Sequence, residues 1–218
     1  GLTHFRAGPA DGNFTVFDLV DFRQWASIDV NSPMVFREYN SDITGRVVVS
    51  SHLDLSDHST LTGRNLTVAS TGVLSVHPQL TVMGLGMAIH GELRGVADVT
   101  ISRHPTKRLL DSELMLDAAS SSTAGSATGS WHVRSMTVED GCVLTIRSPL
   151  SGGAPGPIGA LSATEHIIVH PMGVIRGNRI RLEAESMHLM RDVHGNRGRI
   201  SADGEGYFIN TGPGVGGS

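Results

Sequence analysis

Histidine is the residue that first suggests chemistry in this chain. Eleven are present: His4, His52, His58, His77, His90, His104, His132, His166, His170, His188 and His194. A neutral imidazole moves protons and ligates metals. No Cys/His pair here has finger-like spacing, and His77-Pro78 and His170-Pro171 occupy bends where a ring faces water. The histidines are therefore read as scattered surface and turn residues; a stacked ladder of them stays open, because repeat folds bring distant residues together. The nearest approaches to an acidic cluster that could hold calcium are Asp54 with Asp57 and Asp203 with Glu205, read as turn and solvent-face residues.

Nucleophile and cofactor patterns are equally sparse. Ser and Thr are abundant, but no Gly-x-Ser-x-Gly elbow occurs. Gly84-Leu-Gly-Met-Ala-Ile lacks the third glycine and the βαβ setting of a dinucleotide site. Cys142 stands alone, so no internal disulfide can form, and it reads as a small buried or half-buried hydrophobe. Two Asn-x-Thr acceptors remain, Asn13-Phe-Thr15 and Asn65-Leu-Thr67. If Leu66 and Val68 point inward, Asn65 and Thr67 point outward, as an attached sugar requires. Glycosylation at Asn65 and Asn13 is the only site expectation; no catalytic, cofactor or metal residue is assigned, and no cofactor is expected.

The elements that would position these residues are short strands. From about residue 43, apolar residues alternate in Val47-Val-Val49, Leu53-Asp-Leu55, Leu66-Thr-Val68, Leu80-Thr-Val82, Met87-Ala-Ile89, Val99-Thr-Ile101 and Leu114-Met-Leu116. This is the period of strands with one buried face. A phrase recurs. Leu66-Thr-Val-Ala-Ser-Thr-Gly72-Val-Leu74 and Ile167-Ile-Val-His-Pro-Met-Gly173-Val-Ile175 share apolar first and third positions, Gly at the seventh and an aliphatic at the ninth. Met136-Thr-Val138-Glu-Asp-Gly141-Cys-Val-Leu144 repeats it with one residue fewer in the bend. A strand that meets a Gly corner and then resumes cannot bury a core alone, but stacked copies can. An antiparallel sandwich or barrel also alternates and turns at Gly, yet the hairpin dipeptide Asn-Gly is missing. The fold class expected is all-β, a right-handed parallel β-helix. At roughly 18–25 residues per coil, the stretch after residue 43 allows about seven to nine coils, a rod of about 35–45 Å.

Residues 1–42 differ, holding Phe5, Phe14, Phe17, Phe22, Trp25, Phe36 and Tyr39 of the chain's ten aromatics. Thr15 and Asp18 resemble a capping box, and Val16, Leu19, Val20 and Arg23 fall at helical spacing. A short amphipathic helix over 15–26 is one reading; strands, from the alternation at Phe14-Thr15-Val16, are the other. A solenoid needs a cover on its first coil, so 1–42 is assigned as an N-terminal cap or lead-in unit and 43–218 as repeats. The Ser/Gly/Ala-rich runs 118–130 and 151–159 are expected to leave the repeat as excursions.

Composition agrees with turns and β faces. Charged residues are 17%, below the roughly 25% of ordinary domains, and Gly fills 27 of 218 positions. The net charge of −4, with no dense basic stretch, argues against nucleic-acid binding, and no run of 18 apolar residues suggests a membrane helix. The opening at Gly1 and the closing Gly-Pro-Gly-Val-Gly-Gly-Ser read as cuts within a larger protein.

The repeated phrase, with Gly198-Arg-Ile-Ser-Ala-Asp-Gly-Glu-Gly-Tyr207 and Gly212-Pro-Gly-Val-Gly-Gly217, resembles Gly-rich pectin-lyase-like β-helix repeats of large eukaryotic surface proteins over residues 45–217. The resemblance implies an extracellular or surface shaft, adhesin or matrix component. The partners expected are proteins of an extracellular or surface assembly, with self-association one option and glycans another. The same fold houses hydrolases with an Asn-x-Asp strand, an Asp-Asp pair, a Gly-His-Gly and an Arg-Ile-Lys. Here Val193-His194-Gly195-Asn196 and Arg179-Ile180-Arg181 come nearest, without the paired carboxylates that glycoside hydrolysis needs. The expectation is a non-enzymatic structural or adhesive segment. A carbohydrate-binding or carbohydrate-cleaving β-helix is the first alternative; its outer face would draw aromatic platforms only from Trp131, Tyr207 and Phe208. A viral fibre shaft is the second.

Overall fold

The computed structural model describes residues 3–7, 15–23, 27–36, 39–42, 46–55, 59–62, 66–83, 87–95, 97–103, 112–117, 130–147 and 158–201. These are all-β. The strands β1 (Thr3–Ala7) and β2 (Thr15–Arg23) come first. Four triplets follow: β3 (Ser27–Val30), β4 (Met34–Phe36) and β5 (Tyr39–Asp42); β6 (Arg46–Val49), β7 (His52–Leu55) and β8 (Ser59–Thr62); β9 (Leu66–Val68), β10 (Val73–Val76) and β11 (Gln79–Met83); β12 (Met87–Ile89), β13 (Glu92–Arg94) and β14 (Asp98–Ile101). Next, β15 (Glu113–Asp117) precedes the long β16 (Ser130–Val138), and β17 (Val143–Arg147) precedes the long β18 (Gly159–Val169). The last are β19 (Val174–Gly177), β20 (Ile180–Glu183), β21 (Ser186–Leu189) and β22 (Arg199–Ser201).

From β2 onward the paired strands run parallel to the strand one triplet away, and β13, paired with β10 alone, ends its sheet. The first members form an eight-stranded sheet in the order β22-β19-β17-β15-β12-β9-β6-β3. The second and third members form two tracks of a fourteen-stranded sheet, joined because β2, β16 and β18 each run through both. Only β1, on the outer edge of β2, is antiparallel among the paired strands. Parallel neighbours cannot be joined by a hairpin, which is why Asn-Gly turns are absent from the sequence.

The alternation read from sequence is what fills the interior. Val30, Val49, Val68, Ile89, Leu116 and Ile146 stand in one register along the eight-stranded sheet, all essentially without solvent exposure. Leu80, Val99, Met136 and Ile167 do the same on the third track, as do Val82, Ile101, Val138 and Val169. Side chains from all three tracks belong to one contiguous core, which includes Cys142 and Trp131. Leu66, Val68, Ile167 and Val169 all point into it.

Two readings of the sequence need correction. The amphipathic helix over 15–26 is instead the strand β2, whose backbone bonds go to β1, β4 and β5. β-Branched and aromatic residues in Thr15-Val-Phe suit a pleated strand, and three pairing partners outweigh a weak capping signal. The repeated phrase is also not one fixed unit. Met136–Leu144 and Ile167–Ile175 stack directly, both running from the third track to the eight-stranded sheet. Leu66–Leu74 instead turns from the eight-stranded sheet to the second track. Nor is the bend shortened: Val138 pairs with Val169 and Leu144 with Ile175, so the two bends have equal length.

The excursions at 118–130 and 151–159 fall almost wholly outside the described residues. Their described ends belong to strands: Ser130 opens β16, and Gly159 opens β18 beside Ile180.

Candidate functional site

Polar side chains face outward from these tracks, and the parallel register stacks them into ladders. On the third track Thr81, Thr100 and Thr137 form one rank, and Asp98, Ser135 and His166 the next. Arg134 sits where the register of β16 slips between Val133 and Ser135. Its guanidinium lies back over β14, with Nε donating to Asp98 Oδ1 at 2.8 Å and a second N–H donating to Oδ2. Ser135 Oγ donates to Asp98 Oδ1 at 2.6 Å. The Arg134 guanidinium, helped by the Ser135 hydroxyl, holds the Asp98 carboxyl below its ordinary range.

The eight-stranded sheet carries a similar group. Thr145 Oγ1 donates to Glu113 Oε1 at 2.6 Å, and Arg176 reaches both, donating through Nε to Thr145 at 2.9 Å and to Glu113 at 3.0 Å. On the second track His52 Nε2 lies 2.7 Å from Ser75 Oγ. One strand on, Arg94 clasps Glu92, a second N–H donating at 2.7 Å, and with His52 and His132 keeps that carboxyl below its ordinary range. The His52–Ser75 spacing is that of a general base and a nucleophile. Ser75, however, is buried between the Asp54 and Arg94 positions of the flanking strands, which nearly closes its hydroxyl to solvent. Other histidines are engaged as well: His90 Nδ1 lies 3.2 Å from Asp117 Oδ2.

Among the described residues no three His, Cys, Asp or Glu side chains gather as a metal site. Asp54 is half-buried in register with Ser75, while Asp57, Asp203 and Glu205 lie outside the described residues, as do the acceptors Asn65 and Asn13. Next to Asn65 the expected alternation holds, with Leu66 and Val68 buried and Thr67 half-exposed. Cys142 is buried, as its sequence context suggested. Trp131 is not the outward platform a sugar would need. It is the largest fully buried side chain among the described residues, paired with Leu161 and lying against Gly159.

A different surface was invisible in the sequence. The ranks that fill the core reach β21 and there come into the open. Met187 continues the rank of Ile167 and is 40% exposed, and Leu189 continues that of Val169 and is 47% exposed. Ile180, Leu182 and Ile200, next in register after Gly159, Leu161 and Ile175, are only partly buried. β20 and β22 lie last in their sheets, and β21 pairs only with β18, so each has an edge without a strand partner among the described residues. Beside this end stands a small loop pinned by Asp192, whose Oδ1 accepts from His194 N at 2.9 Å and Asn196 N at 2.8 Å. Asn196 Nδ2 donates to Asp192 Oδ2 at 2.7 Å, and these bonds hold the carboxyl below its ordinary range. Val193 at the loop tip is almost wholly exposed. Comparison of the chain with family models, curated proteins and solved structures finds no match.

Proposed function

We propose that this chain is a stretch of right-handed parallel β-helix that acts as a non-enzymatic structural or adhesive segment of a large extracellular or surface protein. The observation that carries the reading is the unbroken aliphatic rank Val30-Val49-Val68-Ile89-Leu116-Ile146 on the eight-stranded sheet, with strands pairing in parallel one triplet apart. Parallel connections of this kind are right-handed in nearly all known cases. The outward ladders support a structural role: Asp98, Glu92 and Glu113 are each held by an arginine, and the Asp98 and Glu113 pairs tie different coils together. The extracellular setting rests on the resemblance to surface-protein repeats and on the acceptors Asn65 and Asn13.

Two measurements test this. Spin labels at Thr67 and Arg176, four strand spacings apart in the register, should lie about 19 Å apart at the backbone; a broad or much longer distance distribution overturns the architecture. Antibodies raised to the segment should label intact, unpermeabilised cells that express the parent protein. Labelling only after permeabilisation, or release of reducing ends from pectic polysaccharide by the purified segment, overturns the role.

A further inference from the structure

Arginines on the described surface mostly hold carboxylates: Arg94 holds Glu92, Arg134 Asp98, Arg176 Glu113 and Arg181 Glu183. Arg191, Arg197 and Arg199 are the contrast. All three are exposed, and among the described residues their side chains have no ion pair or hydrogen bond. Asp192, the acid nearest in sequence, is engaged within its own loop by His194 N, Asn196 N and Asn196 Nδ2. We propose that these three arginines form an oxyanion site for the sulfate esters of an extracellular acidic polysaccharide. The inference rests on the surface-protein reading and names a ligand class for it.

Arg191 and Arg197 stand directly opposite each other in an isolated antiparallel bridge. Its bonds run from Asp192 N to Asn196 O at 3.0 Å and from Gly198 N to Met190 O at 2.9 Å. They flank the two arginines rather than join them. This is the close kind of antiparallel pair, with Cα atoms about 4.5 Å apart and side chains on one side. Like charges so placed repel and destabilise, and an anion between them reverses the sign. The arrangement is set in advance by the Asp192 loop. Gly195, at φ 90°, closes that loop beneath the Arg191 guanidinium, a Cβ there lying 3.2 Å from a terminal nitrogen. Arg199 follows Arg197 by two places with buried Gly198 between, so alternation puts both on the outward side. Planar guanidinium forks suit a tetrahedral oxyanion, which accepts paired N–H bonds from each. Trp131 is buried and gives a sugar ring no platform, so recognition runs through charge. Residues 176–199 hold six arginines against three acids, and a polymer with repeated sulfates engages several cations at once.

Anisotropy of a fluorescent heparin oligosaccharide, titrated with the full chain at neutral pH and low salt, tests the site. Arg191→Gln and Arg197→Gln should each weaken binding about tenfold or more, and Arg199→Gln about threefold or more. The bridge variants each remove a like-charge contact, so their urea midpoints should equal or exceed the parent's. Arg94→Gln and Arg181→Gln delete the same charge from paired arginines and should leave affinity within about twofold. Equal losses in these controls would assign binding to net charge and overturn the site. Desulfated heparin, hyaluronan and a phosphoserine peptide should each bind about tenfold or more weakly than heparin. Equal binding by any of them overturns the sulfate-ester class. Asp203 and Glu205 follow in the sequence outside the described residues. A gain of about tenfold on Asp203→Asn combined with Glu205→Gln would give the arginines to the chain's own acids and overturn the proposal. No heparin binding, with intact cells still labelled by antibody, overturns the site and leaves the surface reading standing.

Discussion

Gly141 and Met172 occupy equivalent corners, between β16 and β17 and between β18 and β19, and both backbones lie in the left-handed region, at φ 68° and 60°. Their flanking strands fix the correspondence, since Val138 pairs with Val169 and Leu144 with Ile175. The corner demands the conformation, and only one of the two has the residue that adopts it freely. Met172 carries a Cβ into a region that disfavours it and exposes 55% of its surface, so packing offers little return.

Met172→Gly is therefore expected to stabilise the protein by about 1 kcal/mol, relief of left-handed strain outweighing the added freedom of the unfolded chain. Urea unfolding monitored by far-UV circular dichroism checks it. An unchanged or lower midpoint would show that the corner tolerates a side chain without strain.

Gly72 illustrates the other use of glycine, close approach. A Cβ there would land on the carbonyl oxygen of Val49 at the end of β6, and one on Gly91 would land on the carbonyl of Gly72 itself. The backbones touch at this corner, and the N–H groups of Val73 and Glu92 bond across it at 2.8 and 3.0 Å. Gly72→Ala should cost about 2 kcal/mol or more, since backbone and not a side-chain tip must move. A loss below about 0.5 kcal/mol, read from the same unfolding curves, would show that the coils separate easily here.

The core was legible because period-2 alternation needs no knowledge of partners: Leu66, Val68, Ile167 and Val169 announce their faces locally. Strand β2 stayed open between helix and strand because Val16, Leu19, Val20 and Arg23 satisfy a helical template, and the pairing that decides the matter lies in β4 and β5, beyond any local window. The Asp98–Arg134 pair was unreadable for a related reason. Its members are 36 positions apart, a distance set by the long insertions between β14 and β16, and coils here vary too much in length for one repeat spacing to apply. The exposed end around Met187 and Leu189 was hidden most completely, since those residues have the alternation of core strands and differ only in having no coil above them among the described residues.

Asp98 gives the chain an acid-sensitive tie between β14 and β16. Its folded pKa lies below its unfolded value, because Arg134 and Ser135 favour the carboxylate. The stabilisation it supplies is therefore complete above about pH 4 and is lost as pH falls through the folded value. Asp98→Asn should lower stability at pH 7 by about 1 kcal/mol or less, the pair being partly exposed, and the deficit should shrink toward pH 2. Urea midpoints of parent and variant across that range decide it; a deficit independent of pH would assign the effect to shape and not to charge.

Asn65 and Asn13 remain the test of setting. Asn65 immediately precedes Leu66, the first inward residue of β9, and Thr67 of the acceptor triplet is on the outward side of that strand. Asn65 itself lies outside the described residues; from sequence, the alternation predicts it to face outward, where a glycan meets water and not the core. Expression through a secretory pathway should give an intact mass above that of the bare chain, and Asn65→Gln should remove one glycan increment without moving the unfolding midpoint by more than about 0.5 kcal/mol. Unmodified asparagine at both positions would remove the direct support for an extracellular setting and leave it resting on resemblance alone.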